Sequence, residues 1–147
     1  LEAVEEIISE AVKHAANRIQ NNNIKILIPD EVIFAPMDGK LIEQVLVNLI
    51  NNAISHSNPD SEIMISAYTD DNKVWFEVRD NGTGINEADL PHLFDMFYVG
   101  TYPHTNNKHG MGLGLAICKA IVNYHGGEIY AENNPDGGAT FKFYLNV

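Results

Sequence analysis

Two strand-like stretches in the middle of the chain constrain the fold most strongly. Apolar and polar residues alternate along "SEIMISAYTD" (61–70) and "KVWFEVRD" (73–80), which is the period of a strand with one buried face. Asp70, Asp71 and Asn72 are typical of a short polar turn, so the two stretches predict an antiparallel hairpin. The apolar face of that hairpin has to be covered, and helices can cover it.

Three segments have the pattern of helices. The first is 1–20, ended by the asparagines at 21–23; the second is 39–57, capped by Asp38; the third runs from about 113 to 124. The residues predicted to face the core in the first two are Val4, Ile7, Ile8, Ala11, Val12, Ala15 and Ile19, then Ile42, Val45, Leu46, Leu49 and Ala53.

Two more strand pairs complete the pattern. "IKILIP" (24–29) and "EVIFAPM" (31–37) predict strands joined by a short turn, and "GGEIYAENN" (126–134) and "GGATFKFYLNV" (137–147) predict a final hairpin. Hairpins then alternate with helices. The order predicts an α/β (α+β) two-layer sandwich in a single domain, with a mixed, mostly antiparallel sheet and helices on one face.

The stretch before the third helix is less regular. "INEADLPHLFDMF" (85–97) looks helical but broken, and residues 98–110 show no periodicity. A loop of about a dozen residues is typical of lids and binding loops.

The charge balance limits the kinds of ligand. Nine Lys and Arg against 20 Asp and Glu give a formal charge of −11, with the acidic residues spread along the chain. Such a surface repels nucleic acids and anionic membranes, so a bound polyanion needs backbone amides, a metal and a few cations. No apolar run approaches the roughly 20 residues that span a bilayer, and any membrane anchor is expected outside this segment. The single cysteine, Cys118, excludes an intrachain disulfide and predicts a buried structural thiol in a reducing compartment.

One polar face lies on the second predicted helix. Asn48 and Asn52 are four residues apart and Ser55 follows one turn later, so the three share a face. A neutral amide offers a carbonyl ligand to a hard cation such as Mg²⁺ without adding charge. The alternative is a solvated polar face.

A possible adenine site follows the central hairpin. Asp80 ends a strand in "DNGTG", and a carboxylate fixed there can accept a hydrogen bond from an exocyclic amine such as that of adenine. The alternative is a plain Asp-Asn-Gly turn.

The glycines of "GMGLGL" (110–115) open the third helix. They are not a dinucleotide-binding fingerprint, because Leu115 stands where its third glycine belongs, and no Gly-Lys-Ser/Thr follows as a P-loop requires. Exposed amides at a helix N-terminus form an anion site. The alternative is a hinge without a ligand.

Taken together and in order, "NLINNAISHS", "DNGTGI", "LFDMFY", "GMGLGLAICKAIVNYHGG" and "GGATFKFYL" resemble the ATP-binding catalytic domain of sensor histidine kinases. That domain belongs to the superfamily of gyrase, Hsp90 and MutL, with the Bergerat ATP-binding fold. "LIEQVLVNLINNAI" and residues 113–145 resemble the potassium-sensor kinases within it. The resemblance implies ATP and Mg²⁺ as cofactors.

The resemblance also assigns roles to single positions. Asn48 and Asn52 fall in the N box, with Asn52 as the Mg²⁺ ligand. Asp80 becomes the adenine-reading carboxylate. The other nucleotide-binding positions are Ser55, Gly82, Gly84, Ile85, the F-box aromatics Phe94 and Phe97, Lys108, Gly110, Met111, Gly112, Leu113, Gly114, Leu115 and Thr140.

Four positions bear on the reaction. In the superfamily's hydrolases a general-base Glu stands at the place of Asn48, and an amide cannot take a proton, so a kinase is favoured over a gyrase-type ATPase. Ser55 and Val99 replace the family's usual Lys and Arg, which leaves open a nucleotide-sensing module with weak phosphotransfer. Lys108 is the one cation left in the predicted lid, or a solvated loop charge.

The partner carrying the phosphoacceptor histidine is expected elsewhere. His14 lacks the acidic neighbour and later proline of such a histidine. The resemblance therefore implies a dimerisation domain upstream of residue 1 in the same protein, and a response regulator downstream. The segment is expected to be the cytoplasmic part of a membrane-anchored bacterial kinase. Alone, it is expected to be monomeric and inactive in autophosphorylation, and to contact neither membrane nor nucleic acid.

Overall fold

The computed structural model describes residues 1–15, 23–56, 61–96 and 114–147. A single turn of 3₁₀-helix, Leu90–His92, is the regular part of the stretch predicted as a broken helix. The elements are, in order, β1 (Glu2–Ala3), α1 (Val4–Ala15), β2 (Asn23–Leu27), β3 (Phe34–Ala35), α2 (Gly39–Ser55), β4 (Glu62–Asp70), β5 (Lys73–Asp80), α3 (Gly114–Tyr124), β6 (Ile129–Asn133) and β7 (Ala139–Asn146).

A five-stranded sheet in the order β2-β4-β5-β7-β6 forms one layer. The predicted central hairpin is confirmed, because β4 and β5 pair antiparallel from Asp70 opposite Lys73 to Ile63 opposite Asp80. Both turn residues are left-handed, Asp71 at φ 54° and Asn72 at φ 65°, as a two-residue hairpin turn requires. The final hairpin, β6 with β7, is confirmed as well.

The first predicted hairpin, between segments 24–29 and 31–37, is wrong. β2 lies at the sheet edge and runs parallel to β4, whereas β3 pairs with β1 in a separate two-stranded sheet. Parallel neighbours need a long crossover, and α2 provides one between β2 and β4. A strand lies within or near each predicted segment, although β3 covers only Phe34–Ala35 of 31–37, but alternation carries no information about which strands pair.

The helices begin and end close to the predicted positions. α1 begins at Val4 instead of residue 1, since Glu2 and Ala3 form β1, and it is described as far as Ala15. The cap of α2 is confirmed, because the Asp38 carboxylate accepts from the backbone N–H groups of Lys40 and Leu41 at 3.1 and 3.2 Å. None of the helices in the described ranges has both the length and the apolar character needed to cross a membrane.

The core lies between the sheet and the three helices. Of the residues predicted to face it, all that the structure describes are buried apart from Val12, which is half-buried. On the sheet side, Phe76 of β5 stacks on Phe143 of β7 with the ring centroids 4.8 Å apart. The opposite face of the sheet carries Trp75, whose ring lies 5.0 Å from that of Tyr144 and 6.1 Å from that of Tyr130. The two-layer architecture is therefore confirmed.

Candidate nucleotide-binding site

The centre of the candidate site is Asp80, the last residue of β5. Alternation along the strand puts its side chain on the buried face with Val74, Phe76 and Val78, and Asp80 is only 3% exposed. Burial raises the pKa of the carboxyl above its ordinary value, and hydrogen bonds from the backbone N–H groups of Gly82 and Ala139 oppose the shift. The Gly82 bond measures 2.9 Å. A carboxylate has further acceptor positions beyond these two bonds, which suits a ligand amine.

The backbone of Gly138 packs directly against Asp80. Gly138 has φ +82°, and a Cβ added there would overlap the Asp80 carbonyl oxygen and lie 2.7 Å from Asn81 Cα. Only glycine permits both the backbone conformation and the close approach. The turn between β6 and β7 therefore packs against the end of β5.

The loop after Asp80 is held from two sides. The backbone N–H of Ile85 donates to Asn133 Oδ1 at 2.7 Å, and Asn133 Nδ2 donates back to the Ile85 carbonyl at 2.8 Å. The backbone N–H of Thr83 donates to the carbonyl of His56 at 3.4 Å, just beyond the end of α2. The loop with Gly82 and Gly84 thus connects the sheet to the last turn of α2.

Thr140 joins this arrangement through a neighbouring asparagine. Thr140 is 4% exposed, and its hydroxyl donates to Asn134 Oδ1 at 2.5 Å. Asn134 Nδ2 in turn donates to the backbone carbonyl of Asp80 at 3.1 Å. The predicted nucleotide-binding threonine is therefore linked to the predicted adenine-reading residue by one intervening side chain.

The N-box asparagines lie on α2, which packs on β4, β5 and α3. Asn48 Nδ2 donates to Cys118 Sγ of α3 at 3.7 Å, so the amide nitrogen faces α3. Asn52 and Ser55 are half-buried, one and two turns further along α2. Two amide oxygens on one helix face are a donor set that fits a hard cation such as Mg²⁺.

Cys118 matches the predicted structural thiol. It is 0% exposed, and its Sγ lies 3.8 Å from the Val45 carbonyl oxygen. Burial raises the pKa of the thiol to about 12, although the Asn48 amide opposes the shift. A thiol with that pKa stays protonated at neutral pH and is a poor nucleophile.

Phe94, Gly114 and Leu115 are the remaining predicted positions that the structure describes. Phe94 meets Phe141 of β7 edge to face, with the ring centroids 6.2 Å apart. At the start of α3, Gly114 is exposed and Leu115 packs against the core. The predicted site residues Phe97, Lys108, Gly110, Met111, Gly112 and Leu113, together with Val99, lie outside the described residues.

Sequence reasoning missed Asn133, Asn134 and Gly138 as parts of the site. Their stretch, "NNPDGG" (133–138), has the composition of an ordinary turn. Two adjacent glycines there were a sign of unusual backbone, and both have positive φ, 107° for Gly137 and 82° for Gly138. The contacts of Asn134 and Gly138 with Asp80 are invisible in the sequence because they join residues more than fifty positions apart.

A second group of polar side chains lies between α1 and α2, among the residues of 1–15 and 23–56. The ligand atoms of Glu10, His14 and Glu43 lie within 4.8 Å of one another. These side chains already have partners: His14 Nδ1 lies 2.6 Å from Glu43 Oε1, and Glu10 Oε1 lies 3.6 Å from Lys13 Nζ. His14 is 61% exposed and pairs with a carboxylate, a contact that the sequence did not predict.

Comparison with known proteins decides the family. The family described as histidine kinase-, DNA gyrase B- and HSP90-like ATPase matches residues 37–147. The chain belongs to this family. All site residues predicted from the motifs, from Asn48 to Thr140, fall inside the matched range.

Individual relatives are sensor histidine kinases. The chain is 47% identical over 145 residues to the sensor protein KdpD of Clostridium acetobutylicum, and 36% identical over 142 residues to that of Escherichia coli K12. The aligned regions cover 99% and 97% of this chain, respectively, but only 16% of each relative's length. The solved catalytic domain of the histidine kinase ThkA superposes with a TM-score of 0.84 at 29% identity, covering 99% of this chain and 96% of that one.

These similarities confirm the motif-based resemblance. The chain corresponds to the catalytic, ATP-binding part of protein-histidine kinases, and the fold is that of their ATP-binding domains. The two KdpD relatives agree with the finer resemblance that the sequence suggested.

Proposed function

We propose that this chain binds Mg²⁺-ATP between the last turns of α2, the loop after Asp80 and the start of α3, and donates the γ-phosphoryl group to a histidine. That histidine would lie on a dimerisation domain of the same protein, and a response regulator would receive the phosphoryl group next. The parent protein would be a membrane-anchored sensor kinase with this domain in the cytoplasm. The resemblance of the sequence to the potassium-sensor kinases, with which the two relatives named KdpD agree, favours potassium or osmotic sensing as its signal.

The observation that carries the proposal is the buried carboxylate of Asp80. Burying a charged group is costly unless it has partners, and here two backbone N–H groups already hold it while its pKa is raised. A carboxylate kept at such a cost at a strand end, beside glycines, is typical of a binding site. An adenine amine would complete its hydrogen bonds.

The N box supports the metal part of the proposal. Asn52 would hold Mg²⁺, with Asn48 beside it, and the ion would neutralise phosphate charge on a domain whose formal charge is −11. Asn48 also bears on the reaction, because its amide cannot act as the general base that a self-contained ATPase needs. Phosphoryl transfer to a histidine depends instead on positioning and charge neutralisation.

The site is tested by calorimetric titration of ATP with Mg²⁺ into the wild type and two variants. Asp80→Asn removes the carboxylate and is expected to weaken binding by at least tenfold, about 1.4 kcal/mol. Asp71→Asn removes the same charge from the exposed hairpin turn at the other end of β5, where asparagine tolerates the positive φ. It should bind as the wild type does. Equal affinities of the two variants would contradict the assignment of Asp80.

A second candidate function is a nucleotide-sensing module with weak transfer. Ser55 favours it, because a half-buried serine stands in the last turn of α2 where the family usually has a lysine. Autophosphorylation of the full-length parent protein separates the two functions. If transfer is weak in the wild type and rises in a Ser55→Lys, Val99→Arg double variant, the sensing module is supported. Steady phosphate release by the present chain alone would instead indicate a gyrase-type ATPase.

A further inference from the structure

The turn between β6 and β7 contacts both ends of the segment that contains Asp80. At one end, Asn134 Nδ2 donates to the Asp80 carbonyl at 3.1 Å. The same nitrogen donates to the Gly137 carbonyl, inside the turn, at 3.3 Å. At the other end, Asn133 makes its paired bonds of 2.7 and 2.8 Å with the backbone of Ile85. Two consecutive side chains therefore fix the start and the finish of the loop 80–85.

Both asparagines use the oxygen as well as the nitrogen of their amides in these contacts. Asn133 accepts through Oδ1 and donates through Nδ2 to one residue, so its side chain pairs with Ile85 as a neighbouring strand would. Asn134 donates through Nδ2 and accepts from the Thr140 hydroxyl through Oδ1. An alanine at either position would leave backbone or hydroxyl groups of the site without these partners.

The close contact between Gly84 and Asn133 also indicates that Asn133 holds the loop 80–85. Gly84 has φ +81°, and a Cβ added there would lie 3.0 Å from Asn133 Oδ1. The salt bridge from Arg79 to Asp136 also joins this turn to β5, at 2.8 Å, but both side chains are largely exposed. Exposed ion pairs contribute little, so among the side chains of this turn the two asparagines make the stronger connection to the loop 80–85.

We propose that Asn133 and Asn134 are positioning residues of the nucleotide site: they hold the loop 80–85 in the conformation in which the Asp80 carboxylate and the Gly84–Ile85 backbone receive the adenine ring. The inference rests on the proposed function, since it assumes that Asp80 reads adenine. Neither asparagine needs to touch the nucleotide. They act through the loop.

The physical basis is preorganisation. A loop with glycines at 82 and 84 has more backbone freedom than other loops of its length, and ordering it on binding costs free energy. If only a fraction of molecules holds the competent conformation, the apparent dissociation constant rises by the inverse of that fraction. The asparagine bonds keep that fraction close to one.

The experiment compares Asn133→Ala with Asn146→Ala. Asn146 is a matched control, because its Nδ2 donates to the Gly126 carbonyl at 2.8 Å at the opposite end of β7, away from the loop 80–85. ATP and GTP are each titrated into the protein in the presence of Mg²⁺, at a temperature well below the thermal unfolding midpoint of every variant. Asn133→Ala is expected to raise the dissociation constant for ATP about tenfold and to reduce the preference for ATP over GTP, whereas Asn146→Ala stays within about twofold of the wild type.

Two further measurements complete the test. Asn134→Ala should weaken ATP binding in the same direction, and it provides the result if Asn133→Ala does not fold. Hydrogen exchange at the Ile85 amide should accelerate in Asn133→Ala without nucleotide and slow again when ATP is bound, since its acceptor is Asn133.

The outcomes separate the two proposals. If the asparagine variants lose stability but bind ATP as Asn146→Ala does, the two residues are merely structural and the inference is overturned. If the wild type binds no nucleotide, or Asp80→Asn binds as well as the wild type, the proposed function fails, and the positioning role fails with it.

Discussion

The Gly138→Ala substitution should damage both stability and the site, by an amount that the structure allows us to work out. Gly138 has φ +82°, where a residue with a Cβ costs roughly 1 kcal/mol more than glycine. The new methyl would also overlap the carbonyl oxygen of Asp80, a backbone atom that no change of rotamer can move aside. Inserting one carbon into a packed contact typically costs about 1–3 kcal/mol. The expected loss is therefore about 2–4 kcal/mol of the free energy of unfolding.

The neighbouring Gly137→Ala isolates the steric part of that loss. Gly137 also has positive φ, 107°, but an added Cβ there meets nothing within 4 Å. Both variants pay a backbone cost, so the difference between them measures the overlap with Asp80 and should be about 1–3 kcal/mol. Urea unfolding gives both free energies, and equal slopes would show that the unfolded states are comparable.

Nucleotide binding provides the second part of the same test. Any displacement of residue 138 moves the adjacent Ala139 N–H, which bonds the Asp80 carboxylate. The folded Gly138→Ala variant should therefore bind ATP more weakly than Gly137→Ala. If the two variants unfold at the same urea concentration and bind ATP alike, the close contact between Gly138 and Asp80 does not exist in solution and the reasoning fails.

Two further predictions concern Asp80 and Asp38. Because burial raises the folded-state pKa of Asp80, its contribution to stability is fully present below the unfolded pKa and is lost as the pH rises through the folded pKa. Urea unfolding of wild type and Asp80→Asn from about pH 3 to about pH 8 should show the variant gaining stability relative to wild type as the pH rises, and a constant difference would refute the shift. Asp38→Ala removes the cap of α2 and should cost about 1 kcal/mol in thermal unfolding, while Asp38→Asn, an equally good cap, should cost much less; equal losses would argue against the cap.

Local patterns predicted those parts of the fold that depend on neighbours in sequence. The central hairpin followed from alternation and two turn residues, and the start of α2 followed from Asp38, which caps residues two and three positions away. The pairing of β2 did not follow, because its partner β4 lies beyond a whole helix. Periodicity describes which face of a strand is buried, and it does not describe which edge finds which partner.

In the candidate site, too, local patterns predicted single residues but not their tertiary partners. Asp80 was predicted from a strand end and a glycine turn, both of which are local. Its connection to Asn134 spans 54 residues, and that between Ile85 and Asn133 spans 48. Asn48 and Cys118 are 70 residues apart, so the partner of the N-box amide was also beyond the reach of spacing arguments. A candidate binding residue can be proposed from local patterns, whereas the side chains that hold it in place depend on the tertiary structure.

The position of the chain's one tryptophan gives these experiments an optical probe. Trp75 and Asp80 lie on the same strand but on opposite faces, and the indole stacks with Tyr130 and Tyr144 on the face away from the helices. Its fluorescence depends on an intact sheet, while a nucleotide at Asp80 would lie on the other face and not contact the ring. Intrinsic emission should therefore follow unfolding with little interference from ligand, and a variant that loses affinity while its emission stays unchanged has lost its site and kept its fold.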